Sequence, residues 1–133
     1  ALTSVTLPDT MSAIGDGAFS GCIALEGIKL PGNLQALGAS AFEGCTHLKQ
    51  IVLPEGIVTL AESVFQDCSQ LQKVYLPRNL SKVCNGAFRF SQPLTVYWAG
   101  SASDWTHANI SISQYGNDAL AKASFVYNAT SIS

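Results

Sequence analysis

The chain has 133 residues, 47% of them hydrophobic and 12% charged, with a formal net charge of −2. That length supports one packed core, and no apolar run approaches the roughly 18 residues a membrane helix needs. The 7 basic residues form no cluster, so the sequence offers no basic stripe for the phosphate contacts of nucleic-acid binding.

From Leu2 onward the sequence repeats in steps of 23 residues. Leucines fall at Leu2, Leu25, Leu48, Leu71 and Leu94, prolines at Pro8, Pro31, Pro54 and Pro77, and phenylalanines at Phe19, Phe42, Phe65 and Phe88. Cys22, Cys45 and Cys68 keep the same step, with Ser91 in the fourth place. Val5, Ile28, Ile51, Val74 and Tyr97 form another column, beside Leu7, Leu30, Leu53, Leu76 and Ala99. Ile14, Leu37, Leu60 and Val83 form one more. Such columns are the signature of a repeat architecture, in which no unit buries enough surface alone and stacking closes a shared core.

Taken in chain order, each unit opens with a short strand that alternates in, out, in, as Ile28-Lys29-Leu30 does. These strands are expected to centre near Thr6, Lys29, Val52, Tyr75 and Trp98 and to pair in parallel, one rung per ~4.8 Å. Proline ends each strand because it cannot donate to a ladder. A turn follows at Gly32-Asn33, Glu55-Gly56 or Arg78-Asn79, and the chain passes inward again at Leu37 and its equivalents. A short helical turn around Gly38–Glu43 is expected to seat Ala41 and Phe42 on the core. The repeats are 2–24, 25–47, 48–70 and 71–93, followed by a degenerate unit and a cap over 94–133, all in one domain. The expected fold class is α/β: a right-handed solenoid with a parallel sheet on one side and short helical turns on the other. Because Leu2 starts in mid-pattern, further repeats or another domain are expected upstream in the natural chain.

The register that joins AF, GC, LxxI and LP resembles the BspA-like type of leucine-rich repeat, over residues 2 to about 93. The tail from Val96 to Asn128 resembles the ending common in such proteins of gut Firmicutes, through Tyr97–Gly100, Asp104-Trp105, Asn117–Leu120 and a final strand near Phe125–Tyr127. The resemblance implies a secreted or cell-surface bacterial protein that adheres to host proteins, other bacteria or matrix. It implies no cofactor, and the partner, protein or glycan, is unnamed by the sequence.

The tail makes physical sense as a cap, since an open last rung would leave core and strand edge exposed. Ser101 or Ser103 is expected to cap a short helix that holds Trp105 as a plug, and Asn117 or Asp118 a second helix with Leu120. Ala123, Phe125 and Tyr127 fall on one face of a closing strand. Asn79-Leu-Ser81, Asn109-Ile-Ser111 and Asn128-Ala-Thr130 match the glycosylation sequon, a motif short enough to occur by chance.

Little in the sequence speaks for catalysis. Three cysteines in a straight column cannot converge on a tetrahedral metal, and their parallel side chains point poorly for a disulfide. Cys22, Cys45 and Cys68 are therefore expected buried and reduced, with Cys84 the accessible thiol. His47 and His107 share no ligand spacing and read as turn residues, and no nucleophile elbow, phosphate loop or calcium loop occurs. The reading is of a non-enzymatic, monomeric module without metal.

The sheet face carries the functional interest. Its outward residues are Thr6, Lys29, Val52, Tyr75 and Trp98, beside Ser4, Gly27, Gln50, Lys73 and Val96. The candidate ligand-binding strip is Val52, Tyr75 and Trp98 with Lys73 at its edge, since apolar strips and aromatics mark interfaces. Against this stand the ordinary preference of aromatics for strands and the chance that the tail covers Trp98. Two other readings use the same face differently: a carbohydrate-binding accessory that stacks sugars on the aromatics, and an inert spacer within a multidomain surface protein.

Overall fold

The structure is a computed structural model that describes residues 4–89, 94–98, 100–101, 103, 111–112, 117, 120 and 122–129. Each repeat contributes two short strands. The first coil holds β1 (Ser4–Thr6) and β2 (Ala13–Ile14), the second β3 (Gly27–Lys29) and β4 (Ala36–Leu37). The third holds β5 (Gln50–Val52) and β6 (Thr59–Leu60), the fourth β7 (Lys73–Leu76) and β8 (Lys82–Val83). Then follow β9 (Thr95–Trp98), β10 (Ser111–Ile112) and β11 (Ser124–Val126).

All pairing is parallel, as a chain that repeats one direction requires. On the main side β1 pairs with β3, and β5, β7, β9 and β11 form a continuous sheet. On the second side β2 pairs with β4, and β6, β8 and β10 form a ladder. The two sides are joined by proline turns: Met11, Leu34, Ile57 and Leu80 donate their amides to the carbonyls of Pro8, Pro31, Pro54 and Pro77 at 3.0 to 3.1 Å. The expected strands at Lys29, Val52 and Tyr75 and the glycine, asparagine and glutamate turns between them are all present.

The third side differs from expectation. Residues 39–44 are turns, not helix, and the reason lies in where their amides go. Alternate residues bond within the turn, as Ala41 to Gly38 (3.3 Å) and Glu43 to Ser40 (3.1 Å) do. The others donate to the next coil: Ser40 to Glu62, Phe42 to Val64 and Gly44 to Gln66, at 2.9, 3.0 and 2.8 Å. A helix would need those same amides for its own carbonyls. Two columns of left-handed residues make the alternation possible. Gly17, Ser40, Ser63 and Gly86 have φ of 65, 57, 58 and 69°, and Gly21, Gly44 and Asp67 have 73, 74 and 61°. The glycine of the GC pair thus supplies a conformation that costs other residues about 1–2 kcal/mol.

The core runs through the stack between the three sides. Phe19, Phe42, Phe65 and Phe88 stack in a column with ring centroids 5.4, 5.8 and 5.6 Å apart, and the last three are fully buried. Leu25, Leu48 and Leu71, Leu34 and Ile57, and Leu37 and Leu60 fill columns around it.

The tail continues both sheets. Phe125 lies opposite Val96, packs against the core and stacks on Tyr127 at 5.7 Å, as a closing strand should. The other closing strand, β10, places Ser111 opposite Lys82. It falls outside the 23-residue register, so the repeat gives no hint of it. Leu2, Ala99, Trp105, His107, Asn109 and Asp118 lie outside the described residues.

Candidate functional site

Alternation along each strand sends one residue to the core and the next to solvent. On the main sheet the outward row is Val52 opposite Tyr75, Tyr75 opposite Tyr97, and Tyr97 opposite Val126. Lys29 holds the equivalent place in β3 and is exposed. A second outward row joins Gln50, Lys73, Thr95 and Ser124. The backbone beneath both rows is already bonded to neighbouring strands, so these side chains stand on a rigid plane.

Trp98 is not on this face. It is 0% exposed, belongs to the core cluster and lies opposite Leu76, an inward residue. The cause is a step of 22 residues, not 23, into the fifth rung: Thr95 sits opposite Lys73, whereas Gln50 sits opposite Lys73 on the other side. A shift of one residue moves every side chain of a strand to the other face. Tyr97 therefore takes the outward place expected of Trp98, and Val96 takes the inward place expected of Tyr97. The signal for this was in the sequence: polar Thr95 between Leu94 and Val96 marks the alternation of a strand that starts one residue early.

Exposure along the row is uneven. Val52 is 45% and Val126 40% exposed, whereas Tyr75 is 7% and Tyr97 6%, although neither tyrosine belongs to the core cluster. The tail reaches Tyr75, whose hydroxyl donates over long distances to the Ala129 carbonyl (3.4 Å) and Glu55 Oε1 (3.5 Å). A left-handed turn at Asn128, φ 55°, brings Ala129 there, and its own amide bonds the Trp98 carbonyl at 2.9 Å. Burial, then the Glu55 carboxylate, raises the Tyr75 phenol above its ordinary range. Lys73 is half-buried beside the row.

The cysteine column is structural in its contacts. The Cys45 thiol donates to the Phe19 carbonyl and the Cys68 thiol to the Phe42 carbonyl, each at 3.1 Å. Burial, helped by the neighbouring Cys22, pushes the Cys45 thiol up to about 11, and burial pushes that of Cys68 higher still. All four cysteines are free. Cys22, expected buried, is half-buried because it sits on the first described coil, and Cys84 is half-buried too. His47 is an exposed turn residue whose Nδ1 donates to the Ile23 carbonyl at 2.6 Å. Among the described residues no group of three or more His, Cys, Asp or Glu side chains is placed to hold a metal.

Residues 1–105 match the BspA type leucine rich repeat region, in 6 copies. Among solved structures, the chain is similar to a leucine rich cell surface protein of Faecalibacterium prausnitzii, with TM-score 0.63 and 17% identity over 98% of this chain and 36% of that one. It is also similar to the leucine rich repeat protein of T. pallidum, with TM-score 0.62 and 26% identity over 76% of this chain and 53% of that one. The chain thus spans about a third to a half of those proteins' length. No curated protein sequence gives a significant match.

Proposed function

The chain belongs to the BspA-type leucine-rich repeat family, and from that premise we propose that it is a non-enzymatic, protein-binding adhesion module of a secreted or cell-surface bacterial protein. The binding surface in this reading is the outward face of the main sheet, formed by Lys29, Gln50, Val52, Lys73, Tyr75, Tyr97 and Val126. The observation that carries it is the row from Val52 to Val126: apolar and aromatic side chains in consecutive register on a sheet whose backbone bonds are satisfied. Side chains fixed before contact lose little freedom on binding. One of the similar structures is that of a cell surface protein, which supports the location.

The same geometry favours a protein partner over a sugar. Sugar stacking needs an open ring face, and Tyr75 and Tyr97 present 7% and 6% of their surface. What the face does present is aliphatic Val52 and Val126 with lysines at its margin, the mix of apolar centre and polar rim that proteins recognise. The test is to probe immobilised fibronectin, laminin, fibrinogen and collagen, and separately a glycan array, with the purified chain. Saturable binding to a protein, weakened when Lys29→Glu reverses the charge on the face, is expected. Signal confined to the glycan array would overturn the reading.

A further inference from the structure

The ladder on the turn side has a fixed polarity. Phe19, Phe42 and Phe65 each donate an amide hydrogen to the following coil, to the carbonyls of Ala41, Val64 and Ala87, at 2.8, 3.0 and 2.9 Å. Every coil therefore offers donors toward the C-terminal end of the stack and acceptors toward the N-terminal end. At Phe88 the pattern changes partner. Its amide donates to a side chain, Oδ1 of Asn117, at 3.1 Å and 29 residues further on.

Asn117 is held from both ends of its carboxamide. Its Nδ2 donates to the Cys84 carbonyl at 3.0 Å, an oxygen that also accepts the Ala87 amide at 3.3 Å. The side chain is 2% exposed. Expected as a helix cap, it is bonded instead to the backbone of the fourth coil. A carboxamide is planar and carries one carbonyl and an N–H pair, so it presents the same donor and acceptor as a peptide group.

We propose that Asn117 terminates the turn ladder: its side-chain amide takes the place of one peptide group of a further coil and closes this end of the stack against a second copy of the chain. The second copy is the relevant competitor because the opposite end carries the matching group. Ala18 occupies in the first coil the place of Ala41, Val64 and Ala87, and among the described residues no donor reaches its carbonyl. A head-to-tail copy would bring that carbonyl to the Phe88 amide. Such a contact does not close on itself, so it would propagate as a filament. Asn117 fills the donor first, and Leu120, 3% exposed, joins the apolar core nearby.

The experiment measures amide exchange by NMR and sedimentation over a range of concentrations for the 133-residue chain and two variants. In Asn117→Ala, the Phe88 amide should exchange about tenfold faster, the effect of losing one buried hydrogen bond, while those of Phe42 and Phe65 stay unchanged. The same variant should associate as concentration rises, whereas the parent chain sediments as a monomer. Asn117→Asp keeps an acceptor for Phe88 and loses only the donor to Cys84, so it should keep Phe88 protected and stay monomeric. Unchanged Phe88 exchange in Asn117→Ala would overturn the proposal, and so would faster exchange without association. If Asn117→Ala fails to fold, an Asn117→Asp chain that folds but leaves Phe88 unprotected overturns it as well.

Discussion

Replacing Phe65 with alanine removes the middle of the stacked column. The ring is fully buried, with its centroid 5.8 Å from that of Phe42 and 5.6 Å from that of Phe88. Truncating a buried phenylalanine costs about 3–5 kcal/mol, more where the walls cannot collapse. Here they are held: Phe65 bonds Ala87 at 2.9 Å and Phe42 bonds Val64 at 3.0 Å, which fixes the coils on both sides of the void. Each stacked neighbour lost adds about 0.5–1.5 kcal/mol beyond the area term, and Phe65 has two, so the upper part of the range, about 4–5 kcal/mol, is expected. Phe19 is only half-buried and stacks on one side, at 5.4 Å, so Phe19→Ala should cost about 1–2 kcal/mol. Urea unfolding followed by both circular dichroism and tryptophan fluorescence measures the two losses, and coincident transitions justify the two-state treatment. A loss below about 1 kcal/mol for Phe65→Ala, which is ordinary for a random site, would refute the reasoning, as would equal losses at Phe19 and Phe65.

Two further expectations concern the thiols and the turns. At pH 8 a thiol reagent should modify Cys22 and Cys84 on the native protein and reach Cys45 and Cys68 only on unfolding, since the thiolate is the reactive form and burial raises both; rapid modification of all four would contradict this. Because the Cys45 thiol rises from the ordinary 9.0 to about 11, the unfolded chain loses its proton first, so stability should fall as pH rises from about 9 to about 11. Replacing Cys45 with serine should flatten that fall, and an unchanged pH profile would sink the argument. Gly44→Ala should cost about 1–2 kcal/mol through its left-handed backbone alone, because the added Cβ meets the Gly21 backbone only at an ordinary 3.7 Å; a neutral change in urea unfolding would show that the turn can relax.

The repeat made most of the scaffold legible. Leucine, proline and phenylalanine columns located the strands at Lys29, Val52 and Tyr75, the turns after each proline, and the core columns. Three things escaped for physical reasons. The turn at 39–44 has helix-like spacing of Ala41 and Phe42, but left-handed Ser40 and Ser63 follow from the inter-coil ladder and leave no mark in composition. Trp98 was assigned to the surface by carrying the 23-residue step one rung too far, and a strand reads almost the same when it slips by one residue. Asn117 lies in a tail without period, so its partners Phe88 and Cys84, 29 and 33 residues away, are visible only once the chain is folded. The site inherits these errors: Val52, Lys73 and Tyr75 stand on or beside the outward face, and Tyr97 replaces Trp98.

The functional claim is tested most directly by a matched pair of substitutions. Val52 and Val58 are each 45% exposed, but Val52 stands on the outward row of the main sheet and Val58 precedes β6 on the second side. Binding to the matrix protein that gives the strongest wild-type signal is measured for Val52→Glu and Val58→Glu, after both are shown to unfold at the parent's urea midpoint. A charge on the binding face should weaken binding at least about tenfold, or 1.4 kcal/mol, for Val52→Glu and leave Val58→Glu within about twofold. Equal losses from the two, or a loss confined to Val58→Glu, would contradict the placement of the binding surface on the main sheet.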